Sequence, residues 1–510
     1  MNTVRHLQFV NPLEDFDYPD SELVVGFVCA VGADYAPVRD AVQEILKQYG
    51  YEVSVFRVSD LITAFSDRDL PDSPEFDRIS SRMDAGNDGC KESGRNDLWA
   101  LAAIAQINEP RKRNEAKQQL PRPRTAHLVF TLKRPEEVGT LRKVYGPGFF
   151  LVGVFATEKE RLDHLIEINV PKEHAKALIR RDAEEPLTHG QQTRDTFQLC
   201  DVFVHLRRSE YKEELSRFFS LVFADPYVTP TAAEHAMFLA YAASLRSGQL
   251  GRQVGAAIAT RDGDVLAVGC NDVPKAGGGL YWPGPEDWRD HVLGVDTNQQ
   301  QRDKIVQRLL DELDSTTPSD KSLLSGKFKE ILDITEFGRA VHAEMDALLT
   351  CARAGVTPKG ATLYVTTFPC HNCTRHIIAA GIQRVVYIEP YAKSRAEELH
   401  EDAIIVEEKA LDRKRRRNKV PFAHFVGVGP RRYFDLFSLT LSSGEELQRK
   451  INDKVIEIVK ANGWARVPLS PYSYIIREAM AIRLLDRLPQ QLNIFRTESN
   501  ENAASEKQEH

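Results

Sequence analysis

Long apolar runs are missing from this chain. No stretch approaches the roughly 18 consecutive apolar residues of a membrane-spanning helix, and the opening residues, MNTVRHLQFVNPLEDFDYP, hold no apolar signal core. Cysteine is scarce and odd in number, seven in 510 residues. That argues against a disulfide framework and for a reducing compartment, so a cytoplasmic protein with no membrane partner is expected. Charge of one sign is not in excess either: 67 Lys and Arg face 74 Asp and Glu, for a net charge of -7. Bulk electrostatics therefore does not select a polyanion, and any phosphate or nucleic-acid site must be a local basic patch. No internal repeat is visible. What remains is a globular composition, 42% hydrophobic and 28% charged, with length enough for two to four domains.

Along residues 1–225, short apolar runs alternate with charged, helix-period blocks. LVVGFV (Leu23 to Val28), EVSVF, TAHLVFTL, GFFLVGVFA and CDVFVHL read as strands. VRDAVQEILKQYG reads as a helix after the first of them. This pattern predicts an α/β fold with a parallel sheet covered by helices on both faces. Residues Ser66 to Arg95 are polar and rich in Asp and Gly, and read as a surface excursion. FADPYVTPT (Phe223 to Thr231) carries two prolines and no period, and marks a domain boundary. A second domain is expected over 230–440. It opens on the helix AAEHAMFLAYAASLRSG and the hairpin VGAAIAT-RDGD-VLAVGCN, with Asp-Gly in the turn. An insertion is expected over 272–338, a helical C-terminal extension over 441–495 and a disordered tail over 496–510.

The seven cysteines put two of their number in one motif. HAEMDALLTCARAG reads as a helix with a Gly stop, ATLYVTTF as a strand, and PCHNCTRHIIAAG as a second helix. Cys370 and Cys373 are spaced C-x-x-C at a strand-to-helix junction, where a helix N-terminus stabilises thiolates. His342 opens the other helix. Imidazole plus two thiolates is a zinc donor set, and three ligands leave the fourth position a catalytic Zn²⁺ requires. Glu344, two residues past the histidine, is the expected proton carrier. The pairing H-x-E…P-C-x-x-C is the pattern of zinc-dependent nucleobase deaminases. A bare C-x-x-C also serves as a redox pair or half of a structural zinc knot, but the glutamate would then be idle. His371 and His376 read as surface or supporting groups, and Cys351 as core of the first helix.

At these residues the chain resembles the cytidine/deoxycytidylate deaminase superfamily. The similarity extends to SLRSGQLGRQVGAAI (Ser244 to Ile258) and GCNDVP (Gly269 to Pro274). It implies a cytidine-deaminase-like α/β/α sandwich in which Asn271 hydrogen-bonds the sugar or base of the substrate; the plainer role for Asn271 is a turn residue. The whole layout, a P-loop-kinase-like N-terminal half before a deaminase-like half and an aromatic, basic tail, resembles the bacterial anti-phage dCTP deaminases. That resemblance implies deamination of dCTP and dCMP during infection, a homo-oligomer, and for some members restraint by an inhibitory small RNA.

The N-terminal half departs from a working kinase. A Walker A loop needs two glycines, a lysine and a hydroxyl to wrap phosphate and magnesium. Around Gly32 those four positions hold Cys29, Asp34, Tyr35 and Ala36. No phosphoryl transfer and no further cofactor are expected. Arg180, Arg181 and Arg194 are left unassigned. The strongest basic run, RKRRRNK (Arg413 to Lys419), reads as a solvated loop or as an attractor of triphosphate or RNA. Two rival functions stay open. A polynucleotide deaminase needs aromatics in a basic groove; Tyr281, Trp282 and Trp288 supply aromatics, but Glu286, Asp287 and Asp290 oppose a phosphate chain, so KAGGGLYWPGPEDWRDH reads better as a lid on a glycine hinge. In the other rival the zinc is structural and the protein an interaction module.

Overall fold

A computed structural model describes residues 20–66, 68–112, 119–185, 187–206, 210–312, 337–391, 394–406, 418–441, 446–469, 471–485 and 487. The chain forms two compact units. One comprises Met1–Thr229 with Val426–His510, the other Pro230–Phe425.

In the first unit, β1 (Leu23–Cys29), β2 (Glu52–Arg57), β3 (Thr125–Phe130), β4 (Phe149–Phe155) and β5 (Val202–His205) run parallel in the order β5-β4-β1-β3-β2. All seven residues of β1 are buried, as expected for a central parallel strand covered on both faces. Leu23, Val25, Phe27 and Cys29 share a core with the apolar stripes of helices Ala36–Gln48 and Tyr211–Val222. The polar stretch read as a surface excursion contains a 19-residue helix, Glu75–Ser93, closed by Gly94 in the left-handed region. Its buried side mixes Arg82, Met83, Ala85, Gly86, Asn87 and Cys90. Gly86 and Gly89 lie so close to Ile62 and Trp99 that an added Cβ would come within 2.9 Å of them. Hydrophobic periodicity cannot register a helix whose buried face mixes glycine and polar side chains with a few apolar ones.

The chain returns to this unit after Phe425. Gly427–Val428 pairs antiparallel with β5, and the helix Pro471–Leu485 packs on helices Leu98–Asn108 and Pro135–Tyr145. A buried ion cluster fastens it. Arg111 donates to both Glu22 oxygens at 2.6 and 2.8 Å and to both Glu478 oxygens at 2.8 and 2.9 Å. Asn108 also donates to Glu478 at 2.9 Å, and the side chains of the Arg111, Glu22 and Glu478 pairs are fully buried. The expected second domain over 230–440 and separate extension over 441–495 differ from these units. The chain rejoins the first unit at Val426, and the later helix packs on that unit's helices Leu98–Asn108 and Pro135–Tyr145. The expected tail at 496–510 lies outside the described residues.

The second unit is a mixed sheet. β6 (Gly255–Ala259), β7 (Val265–Cys270), β8 (Thr362–Thr367), β9 (Arg384–Glu389), β10 (Ile404–Val406) and β11 (Val420–His424) take the order β10-β11-β9-β8-β6-β7. β6 is antiparallel to both its neighbours, and the remaining pairs are parallel. Two glycines set how closely helices approach. An added Cβ on Gly255 would meet the Ala240 carbonyl of helix Ala232–Ser244, and one on Gly269 would come 2.4 Å from the backbone of helix Ala343–Ala354. Gly255 pairs with Cys270 and Gly269 with Ala256, so the two glycines face opposite sides of the sheet. The helices therefore cover opposite faces, which makes three layers. Helix Ala232–Ser244 starts on a reciprocal cap: Glu234 N–H donates to the Thr231 hydroxyl at 3.2 Å and Thr231 N–H to the Glu234 carboxylate at 2.7 Å. Within the expected insertion, Gly277, Gly278 and Gly279 all have φ between +76° and +103°, which a side chain would resist. The Asp272↔Val341 bridge closes its base, and residues 313–336 lie outside the described set.

Candidate active site

Two helix starts supply the site. His342 is the N-cap residue of helix Ala343–Ala354 (φ -73°, ψ 156°), and Cys370 is the N-cap residue of helix His371–Ala379 (φ -70°, ψ 164°). β8 delivers the second helix, because Phe368 N–H, just past the strand, is held by the Glu389 carbonyl at 2.7 Å. The Cys370 sulfur caps its own helix by accepting from Cys373 N–H at 3.4 Å. The C-x-x-C spacing then turns Cys373 back toward the same point. His342 Nδ1 lies 3.3 Å from Cys370 Sγ and 3.4 Å from Cys373 Sγ.

These three donors all fall within 4.8 Å of one another, and among the described residues they are the group able to hold a metal ion. A tetrahedral zinc with bonds of about 2.0 to 2.3 Å places nitrogen and sulfur ligands about 3.6 Å apart. The observed separations match that edge to within a few tenths of an ångström, and the donor set of one imidazole and two thiols fits zinc. Three protein ligands leave a fourth position for water or substrate.

Glu344 sits in the first turn of the histidine helix, 4% exposed. Burial pushes its carboxyl up to about 7; the charge of Cys370 adds to the rise and His342 opposes it. The carboxyl also hydrogen-bonds the Cys373 thiol. The hydrogen bond from the Cys373 thiol holds Cys370 below the ordinary thiol range, and the same bond pushes Cys373 up. A metal ion makes both release their protons.

Asn271 follows β7 and is 8% exposed. Its carboxamide oxygen accepts from Val254 N–H at 2.7 Å and its nitrogen donates to the Arg252 carbonyl at 2.8 Å. Each end of the amide is thus tied once to the strand-entry loop. Three further residues shape this wall, and nothing in the motif had singled them out. Asp346 accepts from Cys270 N–H at 3.2 Å, which pins the end of β7 to the histidine helix. Asp272 accepts from Gly248 N–H at 3.1 Å and lies 3.5 Å from Arg289. Arg246 donates to the Leu280 and Tyr281 carbonyls and stacks 3.7 Å above the Trp282 ring. Asp346 lies on the same helix as His342 and Glu344, but no spacing rule separates a bracing carboxylate from a surface one.

Of the other residues considered, Cys351 is buried in the core, His371 is half-buried and His376 is exposed. Trp282 and Trp288 are more than half exposed. Asp287 is engaged by Arg289 at 2.6 Å and Asp290 by Arg339 at 2.8 Å. In the basic run, 413–417 lie outside the described residues. Among the described residues no helix is long and apolar enough to cross a membrane.

Comparison with known proteins adds the following. The family model described as the cytidine and deoxycytidylate deaminase zinc-binding region matches residues 230–389. The chain is 30% identical to the deoxycytidylate deaminase of enterobacteria phage T2 over 158 residues, covering 31% of this chain and 79% of that protein. It is 47% identical to ComE operon protein 2 of Bacillus subtilis over 76 residues, 14% of this chain and only 40% of that relative's length. Among solved structures, the dCMP deaminase of cyanophage S-TIM5 in complex with dCMP and dUMP is 21% identical, with a TM-score of 0.23, covering 39% of this chain and all of that one.

Proposed function

Because this chain belongs, through residues 230–389, to the cytidine and deoxycytidylate deaminase family and carries its zinc-binding region, we propose that it hydrolytically deaminates free deoxycytidine nucleotides, dCTP and dCMP. The observation that carries this reading is the buried Glu344 carboxyl beside the converged His342, Cys370 and Cys373 donors. The match to phage deoxycytidylate deaminases over three quarters of their length supports the nucleotide class.

Zinc held by His342, Cys370 and Cys373 supplies, when bound, the Lewis acidity that makes water nucleophilic near neutral pH. Glu344 does the proton work. Its carboxylate accepts a proton from the attacking water, passes it to ring N3 as the oxygen adds at C4, and delivers the second proton to the departing amine. Ammonia leaves and a uracil ring remains. A carboxyl whose affinity for protons lies near neutrality suits both halves of that shuttle. Asn271 keeps one acceptor site and one N–H beyond its bonds to Arg252 and Val254, and we assign them to the sugar or base of the substrate.

The test is direct. Purified protein is incubated separately with dCTP, dCMP, the ribonucleotides and a cytosine-containing single-stranded oligonucleotide, and uracil products are measured. Uracil in dCTP or dCMP supports the proposal; uracil in the oligonucleotide alone overturns it in favour of a polynucleotide deaminase. The resemblance in overall layout further suggests depletion of dCTP during phage infection by a homo-oligomer. Plaque counts on cells carrying the wild type and Glu344→Gln, together with light scattering of the purified protein, test those two points. Charge neutralisation across Arg413 to Lys419 tests the RNA reading: unchanged RNA retention and unchanged KM leave that run a solvated loop.

A further inference from the structure

A cavity of about 400 Å³ opens in the first unit where β1, β2 and β3 end. In an open parallel sheet, ligands sit at the carboxyl ends of the strands, where the strand order reverses. Here β1 stands at that point, with β3 on one side and β4 on the other. The volume lies within the 300–1,000 Å³ range typical of small-molecule sites.

The loop after β1 does not offer its backbone to a phosphate. The fully buried Asp182 carboxylate accepts from Val31 N–H at 2.8 Å, from Lys133 Nζ at 2.7 Å and from the Thr193 hydroxyl at 3.0 Å. The loop amide and the lysine that would hold an anion are thus engaged by the chain's own carboxylate. Gly32 (φ +84°) packs on Arg161, and an added Cβ would come 2.6 Å from that residue's carbonyl oxygen. This loop has been closed as a phosphate cradle, in agreement with the missing Walker residues.

The cationic side of the cavity has moved to arginines. Arg57 lies 5.5 Å from the Tyr35 ring centroid, its Nε is buried with no hydrogen-bond partner, and its ion pair to Asp60 stretches to 3.8 Å. Arg39 pairs with Asp40. Asp60 and Asp40 are both about two-thirds exposed, and exposed pairs of this kind contribute only about 0–1 kcal/mol. A phosphate making charge-assisted bonds to guanidinium can displace them. Thr131, just past β3, is held at φ +66° with its hydroxyl buried and unpartnered. A β-branched residue avoids that backbone region, and such strain concentrates at ligand sites. Val31, Ile62, Ile79 and Leu165 line the same cavity with aliphatic surface.

We propose that this cavity binds a nucleoside phosphate without transferring its phosphoryl group, with the phosphate on Arg57 and Arg39 and the base among the aliphatic residues. The site lies wholly within the first unit and does not rest on the deaminase reading.

Isothermal titration calorimetry on the full chain carrying Glu344→Gln tests it. The probes are ATP, GTP and dTTP, none of them a cytosine nucleotide, with inorganic tripolyphosphate and ribose 5-phosphate as controls. At least one nucleotide should saturate one site per chain. Arg57→Ala should weaken that binding by about tenfold or more, the scale of a lost charged hydrogen bond. Asp60→Asn should tighten it by removing the competing carboxylate, a gain that misfolding cannot produce. Absence of saturable nucleotide binding below about 1 mM, the lower bound of weak specific affinity, overturns the proposal. Binding indifferent to both substitutions also overturns it, and controls that bind as tightly as the nucleotides overturn the assignment to a nucleoside.

Discussion

In the proposed reaction Glu344 moves protons and does not ligate the metal, so the two properties should separate on mutation. Glu344→Gln should retain one zinc per chain by plasma emission spectrometry while uracil formation falls about 10²- to 10⁴-fold, the usual worth of a general acid–base group. Cys373→Ala should lose the metal itself, because two remaining donors do not close a zinc site. Gly269→Val meets a different limit. Its side chain would enter the backbone of the histidine helix, with the first atom already 2.4 Å from Ala343 and Ala347 atoms. Overpacking of that kind costs about 1–3 kcal/mol or more, read as a lower urea midpoint. The convergence of His342, Cys370 and Cys373 was legible in the sequence because metal chemistry constrains residue type and spacing locally. Asp346, Asp272 and Arg246 were not, since their roles come from partners such as Cys270 N–H, Gly248 N–H and Trp282 that only the fold brings near.

At the scale of elements, the apolar strands β1, β3, β4 and β5 could be read directly, since a parallel strand buried on both faces is continuously hydrophobic, whereas the partly exposed edge strand β2 was legible from its alternation. β10, three residues long, and the helix Glu75–Ser93, whose buried face mixes polar and small residues, gave no such signal. Nor did the packing of helix Pro471–Leu485, whose buried ion cluster joins residues far apart in the chain. Burial pushes the Glu22 carboxyl up, but His127 at 3.4 Å and the bonds from Arg111 outweigh it and hold Glu22 at about 2. A carboxylate depressed on folding stabilises the fold above its unfolded value near 4.5, and that contribution disappears as pH falls toward 2. The shift corresponds to about 3 kcal/mol. The stability of the wild type against urea should therefore fall as pH drops from 4.5 to 2, and Glu22→Gln, less stable at neutral pH, should lose that part of the dependence. Glu478→Ala should cost about 3–5 kcal/mol, the penalty for breaking a buried pair from one side.

For the whole molecule, the sequence marked the entry to the second unit through the prolines of Phe223 to Thr231 but not the exit. Val426 continues an aromatic stretch with no break in composition, and Gly427–Val428 is too short to announce a change of sheet. Residues 230–425 expressed alone should bind zinc and unfold cooperatively, because that unit has its own core. Residues 1–229 alone should not unfold cooperatively in calorimetry, and adding 426–510 as a separate chain should restore the transition. On the ribosome this arrangement imposes a wait. Arg111 precedes Glu478 by 367 residues, about 20–70 s of translation at ordinary rates. During that interval the deaminase unit can fold while its host stays open, so nascent chains cut short by a late stop codon would carry a finished zinc site beside an unfinished partner exposed to proteases.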